Sequence, residues 1–164
     1  MTDDLWLTAD QLTAWKKLIA VVEVLPGVLD SQLQRDADLS HFEYFVLAML
    51  SEAPARTLRM STLATQTSAT LPRLSHVVSR LEKRGFVRRE PCANDRRATN
   101  AVLTPAGWTK IEATAPGHVA TVRRHVIDPL TAADMADLDR IMGRVLAVLD
   151  PAEPGATSAA APGS

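Results

Sequence analysis

The chain lacks the marks of several common protein classes. It has a single cysteine, Cys92, among 164 residues, so an intramolecular disulfide framework is excluded. Its seven glycines are scattered and nowhere form a loop that could cradle phosphates. The longest apolar runs, such as 18–25 with Glu23 inside it, fall far short of the roughly 20 residues that span a membrane. No charged segment followed by an apolar one opens the chain, so the expected location is the cytoplasm, with no membrane partner. There is no local nucleophile–base–acid pattern and no repeat of fixed period, which argues against an enzyme and against a solenoid.

An excess of positive charge is also missing, with a net charge of -1 and a pI near 6.4. That average hides a segregation. Residues 1–55 carry three Lys or Arg against nine Asp or Glu, residues 56–97 carry ten against three, and residues 98–164 carry five against seven. The middle block is therefore +7 between blocks of -6 and -2. Concentrated like charge repels itself unless a partner offsets it, so the middle block is expected to meet a polyanion, DNA or RNA.

Within that block, TLPRLSHVVSRLEKRG at 70–85 reads as a helix with two stripes. Leu71, Leu74, Val77, Val78 and Leu81 form an apolar one, whereas Arg73, His76, Arg80 and Arg84 form a basic one facing solvent or a partner. Thr70 is placed as the N-cap and Pro72 in the first turn, where its missing N–H costs nothing. Gly85 is expected to end it. A short helix over 61–66 precedes it across Thr67, Ser68 and Ala69, giving the form of a helix-turn-helix. After it, 86–90 and 101–103 read as two strands joined by PCANDRRATN, a hairpin with Arg96 and Arg97 near its tip.

Around this block the pattern is helical. A first helix is expected from Thr8 or Asp10 towards Leu33, kinked or broken at Pro26 and Gly27. Its apolar face, which includes Leu12, Trp15 and Val22, is wider than a small domain needs. That suits a second subunit and equally an ordinary core helix. A second helix starts at Ser40 with Glu43 at capping-box spacing and stops before Pro54, and Thr57 and Leu58 suit a very short strand. Thr104 and Pro105 open another helix, with Trp108, Ile111, Ala115, Val119, Val122 and Val126 on its buried side and a kink at Pro116 and Gly117. The last begins near Thr131, with Met135, Leu138, Ile141, Met142, Val145 and Leu149 on its apolar face. Residues 151–164, rich in Pro, Ala, Gly and Ser, are expected to be a disordered tail.

The run LATQTSATLPRLSHVVSRLEKRGFVRRE, the loop NDRR and the closing LTPAG, in this order and spacing, resemble the MarR family of bacterial transcription regulators. The resemblance extends from the first helix through Leu149. It implies a mainly α-helical, winged helix-turn-helix fold with a small antiparallel β-hairpin wing and long N- and C-terminal dimerisation helices. The organisation implied is one domain over 1–150, with a DNA-binding lobe about 40–103 and dimerisation helices about 8–35 and 104–149. It further implies a homodimer on double-stranded DNA, a repressor of a pseudo-palindromic operator, with Thr70, Pro72, Arg73, Ser75, His76 and Arg80 nearest DNA. The wing maps to 92–100, with Arg97 in the minor groove, Arg96 near the backbone and Asp95 holding the turn.

The chemistry suits those roles, since an arginine fork pairs with guanine edges and a second arginine fits a narrow minor groove. Two residues depart from the family pattern. Ser68 stands where glycine is common, and a histidine at position 76 makes its contact depend on pH. A small aromatic or anionic effector is also implied, with Trp15, Phe42, Phe45, Met49 and Trp108 as candidate lining, residues whose spacing equally fits plain core.

Other signals are weaker. Cys92 has no resolving cysteine, so an incidental thiol is the plainer reading. His118 and His125 are seven apart, yet no cysteine or acidic cluster completes a metal shell there or at His41, and no metal or other cofactor is expected. A winged-helix module that binds proteins and not DNA is the alternative function.

Overall fold

A computed structural model of the chain describes residues 6–92 and 95–149, the side chain of Arg96 excepted. The expected tail lies outside them. The described residues up to Val122 form one compact unit and those from Arg123 onward a second.

Helix α1 (Ala9–Ala37) starts at a capping box in which Thr8 Oγ1 accepts from the Gln11 N–H and the Gln11 side chain accepts from the Thr8 N–H. It passes Pro26 and Gly27 without the expected break. Burial of Leu29, Gln32, Leu33 and Ala37, on a helix packed against α2 and α5, offsets the bond that proline removes. The helix ends at Asp38, which takes a left-handed φ of 51°. Helix α2 (His41–Glu52) begins at the Ser40 capping box and puts Val46, Leu47 and Leu50 in the core. Pro54 then opens a tight turn (Pro54–Arg56) that leads to strand β1 (Thr57–Arg59).

Helices α3 (Met60–Gln66) and α4 (Leu71–Lys83) follow, then strands β2 (Val87–Cys92) and β3 (Asp95–Leu103). The sheet is antiparallel with β3 between β1 and β2. The hairpin is longer than the sequence suggested, because 95–100, expected as loop, continues the return strand. Pairing opposite β1 and β2 outweighs the turn-forming composition there.

Helix α5 (Pro105–Val122) likewise runs through Pro116. It buries Gly107, Ile111 and Thr114, while Val119, expected inside, is 52% exposed. In the second unit a π-helical turn (Arg123–Ile127) precedes α6 (Ala132–Leu149), whose start is tied by Thr131 and Asp134. None of the residues of α6 is buried, and Ile141, Val145, Leu146, Val148 and Leu149 are exposed.

A candidate nucleic-acid interface

The centre of the site is the α3–turn–α4 unit. Thr67 Oγ1 donates to the Leu63 carbonyl at 2.7 Å, and the Ala69 N–H donates to the Ala64 carbonyl at 2.9 Å, closing the turn between the helices. Ser68 sits in this turn with φ 49°, the left-handed region that glycine adopts freely and serine does not. The sequence departure at this position is thus carried as backbone strain.

Thr70 Oγ1 accepts from the Arg73 N–H at 3.4 Å and Pro72 lies in the first turn of α4, as their types require. Leu74, Val77, Val78 and Leu81 are buried against the core. Leu71, assigned to the same stripe by spacing, is 50% exposed because the first turn projects beyond that core. Thr70, Leu71, Pro72, Arg73 and His76 are left together on the open surface at the N-terminal end of the helix. At the other end Gly85, with φ 76°, lets its own N–H and that of Phe86 bond the Glu82 and Leu81 carbonyls, terminating α4.

Three arginines of the basic stripe turn back to the protein. The Arg73 guanidinium lies over the Phe42 ring, 4.4 Å from its centroid, and Arg80 meets the buried Glu43 carboxylate at 3.1 Å. Arg84 pairs with Asp38 at 3.2 Å, approaches Glu43 at 4.0 Å and stacks on Phe86. Ser75 has its carbonyl and hydroxyl engaged by Arg89 from β2, which also donates to the Ser79 hydroxyl and pairs with Glu82.

On the wing, Asp95 Oδ1 accepts the Arg97 N–H at 3.0 Å, while the Arg97 side chain is exposed. Arg88 and Glu90 pair on the outer face of β2. Between the wing and the starts of α3 and α4 is a hollow of about 540 Å3, whose wall includes Arg59, Leu71, Ser75, Arg89 and Arg97. Arg59, Arg89 and Arg97 outnumber Asp95 in its wall, so the recess beside α4 has an excess of positive charge.

A second hollow, of about 750 Å3, lies between the middle of α1, the start of α2 and α4, with Pro26, Asp30, His41, Phe42, Arg73 and His76 among its walls. Of the five aromatic and sulfur residues considered for an effector, only Phe42 lines it. Trp15 is half exposed on α1, Phe45 is partly buried, and Met49 and Trp108 pack against the core, Trp108 beneath the Arg56 guanidinium at 3.6 Å. Nearby, Asp30 accepts the His41 N–H at 2.8 Å, and the His118 ring lies 4.3 Å from that of Tyr44 and 6.2 Å from that of His41. Burial holds His41 below its ordinary value of 6.5, against the pull of Asp30. Burial and then His41 do the same to His118. No group of three His, Cys, Asp or Glu suited to a metal ion occurs among the described residues.

Sequence reasoning passed over Glu43, Arg89 and Thr104 as organisers of the site. Thr104 Oγ1 donates to the Gly85 carbonyl at 2.6 Å and accepts the Gly107 N–H, tying the end of α4 to the start of α5. A Cβ on Gly107 would overlap the Phe86 carbonyl oxygen, so the glycine of LTPAG is required by close approach. Glu43 had a visible signal, its capping-box position; Arg89 had only its alternation along a short strand.

Comparison with known proteins places this geometry. Residues 39–99 match the model of the MarR family. The chain is 46% identical to Sco3205 of Streptomyces coelicolor, a MarR family transcriptional regulator solved in complex with DNA, over 91% of this chain and 97% of that one, with a TM-score of 0.87. It is 40% identical to AbsC, another MarR family transcriptional regulator of Streptomyces coelicolor, over 89% and 98%, with a TM-score of 0.85. It is also 33% identical over 72 residues to the HTH-type transcriptional regulator PecS of Dickeya dadantii, covering 44% of this chain and 43% of that protein. The capped basic helix, the turn before it, the hairpin after it and this similarity over nearly the whole length agree: the chain belongs to the MarR family of transcriptional regulators.

Proposed function

We propose that the protein is a sequence-specific, double-stranded DNA-binding transcription regulator. The observation that carries this reading is the exposed N-terminal end of α4, with Thr70, Pro72, Arg73 and His76, beside the recess that leads to Arg97 on the wing. Arg73, steadied by the Phe42 ring, is suited to a guanine edge, and Thr70 to a phosphate. Arg97 enters the adjacent minor groove, its backbone set by Asp95, with Arg96 near the DNA backbone; Ser75 and Arg80 line the same helix behind the reading edge. The similarity to a regulator solved with DNA supports the same reading.

The protein acts as a homodimer. Trp6, Leu7, Trp15, Val21, Val22 and Val24 on and before α1 are more than half exposed, or half exposed in the case of Trp15, and α6 exposes a further apolar set. Such surfaces are costly in water and suit a second copy. A two-fold dimer covers an inverted repeat whose half-site centres lie about one helical turn, roughly 34 Å, apart. Occlusion of a promoter by that dimer makes it a repressor. The hollow bounded by Phe42, Arg73 and His76 supports release by a small aromatic or anionic effector, because its occupant would touch a residue that reads DNA.

Selection of bound duplexes from a random pool tests the reading. The expected result is an enriched pseudo-palindrome with that spacing; no enrichment at low salt overturns it. Light scattering at micromolar concentration is expected to give a dimer mass, and a monomer would contradict the assembly.

A further inference from the structure

Glu43 is placed oddly for a residue on a helix surface. It is 1% exposed, yet it carries a carboxylate at the third position of α2. One oxygen accepts the Ser40 N–H at 2.8 Å, completing the cap. Its other oxygen accepts no hydrogen bond but lies in ion-pair range of Arg80 at 3.1 Å, and Arg84 approaches the carboxylate at 4.0 Å. Arg80 lies in α4 and Arg84 is its C-cap, so a single buried group faces the C-terminal half of that helix from the start of α2.

A buried carboxylate is costly unless paired, and Arg84 alone stands at the limit of an ion pair and is shared with Asp38. Moving Arg80 to a DNA phosphate would leave Glu43 the Ser40 N–H and, as its one charged partner, the distant Arg84. Arg80 is therefore held to Glu43 although about half of its side chain faces solvent. With Arg80 and Arg84 engaged, this side of the helix has less charge to offer phosphates at random and the N-terminal edge carries more of the contact.

We propose that Glu43 is a specificity-determining positioning residue: by engaging Arg80 it sets the seat of α4 and withholds a cation from indiscriminate phosphate contact. This rests on the reading that α4 lies on DNA. Glu43→Gln removes the charge but keeps a side chain that can complete the cap, and Arg80→Gln removes the withheld cation.

The test is fluorescence anisotropy of wild type, Glu43→Gln, Arg80→Gln and the double variant on a selected operator and on random duplex, across about 50 to 200 mM salt. Arg80→Gln is expected to keep the wild-type slope of log affinity against log salt. Glu43→Gln is expected to steepen it on random duplex by about 0.9 for each protomer whose freed Arg80 reaches a phosphate, and to lower the ratio of operator to random affinity. The double variant is expected to return to the wild-type slope, which a merely structural loss would not do. A slope flattened by about 0.9 per protomer in Arg80→Gln would overturn the proposal, as would an unchanged slope in folded Glu43→Gln. If Glu43→Gln does not fold by circular dichroism, Arg80→Gln decides alone. Failure of the wild-type protein to bind any duplex would overturn the DNA-binding reading and this one with it.

Discussion

The guanidinium of Arg89 donates to the main-chain carbonyl of Ser75 at 2.6 Å, and the same nitrogen lies 2.8 Å from the Ser79 hydroxyl. Strand β2 is thereby clamped to the middle of α4, so the wing and the basic helix are held in one relation before any DNA is met. For the proposed reading by helix and wing together this is pre-organisation, since a loose wing would have to be ordered at the moment of binding.

Replacing Arg89 by Ala removes these bonds and the pair with Glu82, and is expected to cost about 1.5 to 3 kcal/mol of stability, the range for hydrogen bonds to a charged group. Urea titration checks this. Lysine is expected to recover only part of the loss because it lacks the planar fork. An alanine variant as stable as wild type would remove the clamp from the account.

Gly107→Ala is expected to lose about 3 kcal/mol, at the upper end for overpacking, because the added carbon meets backbone at Phe86 and the Leu103 side chain. Thermal unfolding by circular dichroism reads the loss. A variant melting with wild type would contradict the close approach of α5 to Phe86.

Ser68→Gly is expected to stabilise by about 0.5 to 1 kcal/mol. Relief of the left-handed φ at this residue exceeds the extra entropy that glycine loses on folding. Denaturant midpoints at constant slope measure it, and a destabilised variant would show that Ser68 is unstrained.

Acid is expected to weaken the fold through His41 and His118. Both are held below 6.5 when folded, so the unfolded chain takes up their protons first as pH drops. Their contribution is complete above 6.5 and declines as pH falls from there through the lowered folded values. His118→Asn is expected to flatten the dependence of unfolding free energy on pH as pH falls below 6.5. An identical profile in that variant would exclude His118 as a source.

Much of this was legible in the chain. Thr70, Pro72 and Gly85 mark the ends of α4 because capping and backbone conformation are local, and Ser40 with Glu43 marks α2 for the same reason. Neither helix is interrupted at its proline, Pro26 where the sequence predicts a kink or break and Pro116 where it predicts a kink, since burial of neighbours such as Leu33 and Ile111 is a tertiary quantity that proline alone does not report. Within the site, spacing identified the basic stripe on α4. It could not show that Arg73, Arg80 and Arg84 lean on Phe42, Glu43 and Asp38, residues 31 to 46 positions earlier in the chain. Of the candidate effector lining, Phe42 borders the hollow beside α4 with Pro26, Asp30 and His41, whereas Met49 and Trp108 share helical faces with core residues, which spacing alone does not distinguish.

The most direct test of the central claim, that α4 reads the major groove while the wing reaches the minor groove, is the affinity of Arg73→Ala and Arg97→Ala for a selected operator and its single-base variants. Arg73→Ala is expected to lose about 1 to 3 kcal/mol and to relax preference at one base pair in each half-site. Arg97→Ala is expected to weaken binding where the flanks are A·T-rich. Unchanged affinity and unchanged base preference in both variants would contradict the claim.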